Sequence, residues 1–190
     1  MPLNVPNLLT WLRIILIPLI VGVFYLPDDL LSFQDKNIAA TAIFIFAAIT
    51  DWLDGYLARV LDQISAFGEF LDPVADKLLV AGALIVLLQL ERVEPVVALI
   101  IIGREIAISA LREWMAKIGQ SKSVAVAFIG KVKTAGQMIA IPLLLFHDDL
   151  FEILNCQWLG TILINIAAVL TVVSMLYYLR KAMPHAPGKD

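Results

Sequence analysis

The sequence predicts an all-α polytopic membrane protein, six transmembrane helices with a short interfacial segment ahead of them, and three observations predict it. Of the 190 residues, 61% are hydrophobic and only 16% charged, where a soluble domain is nearer half apolar and a quarter charged. The apolar residues gather in blocks that cross or nearly cross about 30 Å of hydrocarbon at about 1.5 Å per residue. No block alternates with the period of two that a membrane barrel needs.

The blocks cover residues 8–26, 37–60, 68–90, 93–117, 125–146 and 155–181. Pro27-Asp28-Asp29 closes the first, Glu91-Arg92-Val93-Glu94-Pro95 parts the third from the fourth, and His147-Asp148-Asp149 closes the fifth. Val5-Pro6-Asn7-Leu8-Leu9-Thr10-Trp11 reads as the interfacial segment, with Trp11 at headgroup depth. The first residues lack the positive n-region of a signal peptide, so the first block is expected to be retained. One domain over residues 1–190 is the default at this length. A lone cysteine, Cys156, excludes an intramolecular disulfide framework and a cysteine-built metal site. The net charge of −3 argues against a nucleic-acid partner.

Lysine and arginine set the orientation. One side collects Arg13, Arg59, Arg104, Arg112, Lys117, Lys122, Lys131, Lys133, Arg180, Lys181 and Lys189; the other has Lys36 and Arg92 among many acids. With Lys77 set aside, that is eleven of the fourteen basic residues against two. The basic side is therefore expected to face the cytoplasm, with both termini.

The chemistry is expected on four aspartates. Asp51 and Asp54 are three apart and Asp72 and Asp76 four apart, so each pair shares one face of a helix. One pair ends a span and the other begins the next, and an antiparallel hairpin brings both to one level near the cytoplasmic boundary. Bare carboxylates crowded in a low dielectric repel one another and resist ionisation. A divalent cation removes that conflict, and an all-oxygen donor set suits Mg2+ or Mn2+ rather than zinc. Gly55, Ala58 and Gly68 leave the helix surface bare beside the carboxylates, where a flat base or a diphosphate can approach, or serve only close helix packing. Arg59 adds a fixed positive charge at that edge. Pro73 reads as a first-turn proline.

The complete string Asp51-x2-Asp54-Gly55-x2-Ala58-Arg59-x8-Gly68-x3-Asp72-x3-Asp76 resembles the signature of the CDP-alcohol phosphatidyltransferase family. The six-span layout of the rest of the chain is similar to that family as well. Pro6-Asn7-Leu8-Leu9-Thr10-x2-Arg13, Gly103-Arg104-Glu105, Ala110-Leu111-Arg112-Glu113-Trp114 and Gly130-Lys131-Val132-Lys133-Thr134 resemble its bacterial branch that uses a phosphorylated glycerol.

The resemblance implies transfer of a phosphatidyl group from CDP-diacylglycerol to an alcohol with release of CMP, at the inner membrane, by a homodimer. It implies that Asp51, Asp54 and Asp72 ligate metal, that Asp76 divides between metal contact and general-base duty, and that Gly55, Ala58, Arg59 and Gly68 line the cytidine diphosphate site. Asn7 and Thr10 either cap the first helix or touch the nucleotide.

The acceptor is read from the remaining cations. Arg104 lies well inside the fourth block, where a charge must face the bundle interior or pair, and Glu105 is a candidate partner. Arg112 is eight residues on, about 80° round the helix, so the two can flank one groove. With Lys131 and Lys133 they can hold a phosphate monoester, which favours sn-glycerol 3-phosphate over a neutral alcohol. One rival reading is the same chemistry with another alcohol acceptor, and a second is a small metal or solute transporter built on intramembrane carboxylates. Against the transporter, the acids cluster at one edge, whereas a transport path shows polar residues near the midplane.

Overall fold

The computed structural model describes residues 5–60, 66–119, 128–150 and 154–183, with side chains at these positions except 5–6, 58–59, 66–67, 69 and 128–131. Ala58, Arg59 and Lys131, named above, therefore lie outside the described side chains. The described residues form six helices, α1 (Val5–Val23), α2 (Phe33–Val60), α3 (Ala66–Gln89), α4 (Pro95–Lys117), α5 (Phe128–Phe146) and α6 (Cys156–Ala182). A two-residue antiparallel pair, β1 (Asp149–Leu150) with β2 (Leu154–Asn155), joins the last two.

Several helices begin or end where the sequence supplies a reason. The Ser32 hydroxyl accepts from the Asp35 N–H at 3.2 Å and donates to the Asp35 carboxylate at 2.6 Å, which starts α2. Pro95 opens α4, where its missing N–H costs nothing. Gly119, at φ +74°, takes the left-handed conformation just past α4. The Asn155 side chain accepts from the Trp158 N–H at 2.7 Å and caps α6. Two expectations are corrected. The segment at 5–11 does not precede the first helix but is its beginning, because Val5 to Trp11 continues the helical pattern without a break. Pro73 lies well inside α3, since that helix starts at Ala66.

The helices wrap one another around a core of small and branched apolar residues. α1 packs on α2 and α3, α5 lies along α6, and α4 leans on α6. Ala40, Phe44 and Ala47 of α2 meet Leu84 and Leu87 of α3, Ile101 of α4 and Ile141 and Leu144 of α5 in one buried cluster. At Gly160 α6 packs tightly on α5: a Cβ there would sit 2.7 Å from the Leu144 side chain. Small residues are what let helix backbones approach this far.

The outward faces are apolar too. Leu8, Ile15, Leu19, Ile85, Leu99 and Val169 are among many large hydrophobic side chains left exposed, a surface that water would not tolerate over so large an area. Phe33–Leu57 and Cys156–Ala182 are long and apolar enough to cross a membrane, and Asn7–Val23 and Val132–Phe146 are shorter apolar helices. α3 and α4 have the length, but Asp72, Asp76 and Lys77 on one and Arg104, Glu105 and Arg112 on the other interrupt their apolar character.

At the end away from these charges, Arg92 is buried and ties three elements together. Its guanidinium donates to the carbonyls of Leu144 and Leu145 at 3.0 and 2.8 Å and to the Asn37 side chain at 2.9 Å. The last carbonyls of a helix have no partner within it, so Arg92 acts as a side-chain cap for α5. Beside it, burial and then the positive charge of Arg92 push the His147 imidazole down from its ordinary pKa.

Candidate active site

Two helices, α2 and α3, deliver the carboxylates to one spot, and the organising group is a side chain on α1. Arg13 is fully buried and reaches three aspartates at once. One terminal nitrogen, Nη1, meets Asp51 at 3.1 Å and Asp76 at 2.6 Å, while Nη2 donates to Asp54. The fourth aspartate is reached one turn earlier, where the Thr10 hydroxyl donates to Asp72 at 2.6 Å. α1 therefore clamps both aspartate pairs, across α2 and α3. The expected convergence of Asp51, Asp54, Asp72 and Asp76 is present in the fold.

Arg13 read in the sequence only as one more cytoplasmic cation and as part of a short motif. Its burial decides otherwise. The planar guanidinium can bridge several carboxylates where a lysine offers a single point charge. Thr10 is likewise no helix cap: it is buried in the second turn of α1, and its hydroxyl is committed to Asp72. Asn7 is buried one turn before it, also past the start of the helix.

The carboxylates differ in what surrounds them. Asp54 is buried, with 3% of its side chain exposed, whereas Asp51 and Asp76 expose 40% and 47% of theirs. Both of these line a cavity of about 380 Å³, within the range of small-molecule sites. The Asp51 and Asp76 carboxyl groups also stand within hydrogen-bonding reach of each other. Gly55 has open space where a Cβ would be, in keeping with a bare helix surface there, and Gly68 is buried.

Four carboxylates facing one guanidinium leave an excess of negative charge. The donor set is all oxygen, and two of its members are open to the cavity, which fits a hard divalent cation in kind. Among the described residues no three such groups already converge on one point as ligands; Arg13 stands between them.

The same cavity also receives basic residues from α4. Arg104 and Arg112, on α4, both line it, as their spacing predicts. The ring of the buried Tyr178, on α6, lies against both: the guanidinium carbons are 5.9 and 5.7 Å from its centroid. Such cation–π contacts hold a guanidinium in place without consuming its donors. Glu105 is the expected partner of Arg104, at 3.2 Å from Nη1, and the Ser174 hydroxyl accepts from Nη2 at 3.4 Å.

Lys133 differs from its expected role. It is fully buried, and its ammonium is engaged with Glu105 rather than presented to the cavity. The apolar interior of the bundle forces that pairing, so Lys133 fixes Glu105, and Glu105 fixes Arg104. Ser174, Tyr178 and Gln137 were not anticipated. The only trace of them in the sequence is a polar residue at helical spacing in an otherwise apolar stretch, Lys133 with Gln137 and Ser174 with Tyr178.

Fold and site together define a helical protein with an apolar exterior, built round a cavity lined by both acidic and basic side chains. The chain belongs to the CDP-alcohol phosphatidyltransferase family, whose model matches residues 3–173. It is 50% identical over 184 residues to the CDP-diacylglycerol–glycerol-3-phosphate 3-phosphatidyltransferases of Shigella flexneri serotype 5b and Escherichia coli K12, covering 96% of each chain. The protein of the same name in Salmonella choleraesuis is 49% identical over the same length.

Proposed function

We propose that this protein transfers the phosphatidyl group of CDP-diacylglycerol to sn-glycerol 3-phosphate, giving phosphatidylglycerophosphate and CMP within anionic phospholipid synthesis. The observation that carries the reading is the single cavity lined by both carboxylates and guanidinium groups, in a chain half identical to relatives that bear this name. A hydroxyl of the acceptor attacks the phosphorus joined to diacylglycerol, and the bond from that phosphorus to the CMP oxygen breaks. Asp76, half-exposed in the cavity, is the group that takes the hydroxyl proton. Arg104 and Arg112 hold the acceptor's phosphate, kept in place by Tyr178 and Glu105.

Asp51, Asp54, Asp72 and Asp76 would hold Mg2+ or Mn2+, which when bound neutralises charge developing on the CMP leaving group. Asn7, Thr10, Gly55, Ala58, Arg59 and Gly68 are assigned to the CDP-diacylglycerol side, and Lys131 to the acceptor side, on the family signature. The same resemblance supports a homodimer.

The direct test is purified protein with CDP-diacylglycerol and a panel of acceptors, following CMP release. sn-Glycerol 3-phosphate should be used far better than inositol or serine, and a preference for either neutral alcohol would sink the assignment. Arg104→Ala and Arg112→Ala each remove charged hydrogen bonds worth about 1.5–3 kcal/mol. The KM for sn-glycerol 3-phosphate should rise about ten- to a hundredfold, while dependence on CDP-diacylglycerol changes much less. Arg104→Lys should recover little, because a point charge cannot replace the planar fork. Unchanged acceptor dependence in all three would remove these arginines from the site.

The reading further places six spans in the inner (cytoplasmic) membrane, with both termini and the cavity on the cytoplasmic side. Support comes from the lysine and arginine count and from the stacked, outward-facing Trp52 and Tyr56 at the cavity's level, with ring centroids 5.9 Å apart. The inward-facing charges of α3 and α4 account for their weaker apolar character. Lys117→Cys and Asp149→Cys, both at exposed positions, made in a Cys156→Ala background, should label from opposite faces of sealed vesicles. Labelling of both from one face would overturn this topology.

A further inference from the structure

Among the polar side chains that line the cavity and that no step above uses, Gln137 stands apart by its burial. Gln137 lies on α5, one helical turn beyond Lys133, and is 3% exposed. It lines the cavity that also holds Asp51, Asp76, Arg104 and Arg112. Its Nε2 is buried and, among the described residues, finds no hydrogen-bond partner. The same lining includes the apolar Leu79, Val80 and Met138 and, one turn before Gln137 on α5, Thr134. A buried amide N–H left without an acceptor is costly and uncommon, and where one persists it asks for an explanation.

A ligand oxygen is the explanation that fits. Resting on the reading above, the acceptor offers three kinds of oxygen. Its phosphate oxygens are matched by the guanidinium groups of Arg104 and Arg112, and the attacking hydroxyl must face a carboxylate that takes its proton. The remaining oxygen is the hydroxyl on the middle carbon, which neither reacts nor carries charge. A neutral amide donor suits a neutral hydroxyl oxygen, whereas the anionic oxygens are better matched by the cations of α4. We propose that Gln137 is a specificity-determining residue that donates from Nε2 to the acceptor's non-reacting hydroxyl.

A two-by-two comparison tests this. The acceptors are sn-glycerol 3-phosphate and 3-hydroxypropyl phosphate, which has the same phosphate and terminal hydroxyl but lacks the middle one. The enzymes are the wild type and Gln137→Met, of similar length and without polar donors. Rates come from CMP release in detergent, with thermal unfolding measured on each protein. The wild type should prefer sn-glycerol 3-phosphate in kcat/KM by roughly ten- to a hundredfold, the effect of one hydrogen bond made inside a dry site. Gln137→Met should lose most of its rate with sn-glycerol 3-phosphate and change less than about threefold with the analogue, so that the preference collapses. Gln137→Glu keeps the size but replaces the donor by an acceptor, and should collapse it as well.

A merely structural role for Gln137 would lower both substrates together, and that outcome overturns the proposal. So does a wild type that uses both acceptors equally well, a result needing no variant at all. If the wild type instead fails to use sn-glycerol 3-phosphate, the assigned acceptor is wrong and the proposal falls with it, recognisably for that reason.

Discussion

Replacing Arg13 by alanine is expected to abolish measurable CMP release and to destabilise the protein in detergent by about 3–5 kcal/mol, the cost of removing one partner from a buried charge cluster. The reasoning is electrostatic. Arg13 is fully buried, with three aspartates on its two terminal nitrogens, so its loss takes from the buried Asp54 its ion-pair partner among the described residues. Asp51 and Asp76 are partly exposed, and water screens part of their loss. Like charges then push α2 and α3 apart at the point where both pairs must converge. Each 1.36 kcal/mol lost at the transition state is tenfold in rate, so displacement of several carboxylates together exceeds a hundredfold. Arg13→Lys should keep much of the stability and little of the rate, because one ammonium cannot span three carboxylates in this arrangement. Rates near wild type in both variants, with an unshifted melting temperature, would show that Arg13 is not the organiser of the site.

Why Arg13 escaped notice, while the aspartates did not, shows what a membrane sequence reveals. The six helices agree with the apolar blocks to within a few residues at most ends, because hydrocarbon length and punctuation by Pro27, Pro95 and Asp149 are local signals. The aspartate pairs were legible for a related reason: spacings of three and four put each pair on one helix face, and a short connection fixes the antiparallel hairpin. Arg13 is 38 residues before Asp51 and 63 before Asp76, and the count of cytoplasmic cations absorbed it without residue. Arg92 was lost in the same way among outer-loop charges, although it caps α5. Lys133 looked like a phosphate ligand because sequence shows its charge but not Glu105 packed against it. Contacts between distant helices, and which of two cations faces a cavity, depend on packing that no spacing rule encodes. Gln137 is the extreme case, since an isolated glutamine in an apolar helix has no signature until its orphaned amide is seen in the cavity wall.

Removal of divalent metal should abolish activity completely and reversibly. Four carboxylates at one level are opposed within the cluster by the single charge of Arg13, an excess that must be met by protonation, by a cation or by both. Protonated carboxylic acids would bind a diphosphate poorly and could not accept the acceptor's proton. A hard dication satisfies the oxygens and carries the opposite charge to the substrate's diphosphate, so Mg2+ or Mn2+ should restore what EDTA removes. Asp51→Asn, Asp54→Asn and Asp72→Asn keep shape and size while deleting one charge each. All three should reduce CMP release by about a thousandfold or more, consistent with loss of more than 4 kcal/mol of transition-state stabilisation. The three should differ in stability. Asp54→Asn weakens the buried contact with Arg13, so its melting temperature should fall. Asp72→Asn retains an oxygen that accepts from Thr10 and should melt close to the wild type. Asp76→Asn should be inactive by a second route, since an amide cannot take the hydroxyl proton. Raising the metal concentration should therefore leave it inactive, while a variant impaired only in metal affinity recovers part of its rate. Full turnover in excess EDTA would exclude the metal. Asp76→Asn recovering at high Mg2+ would move the base elsewhere in the cluster, to Asp51, which also lines the cavity.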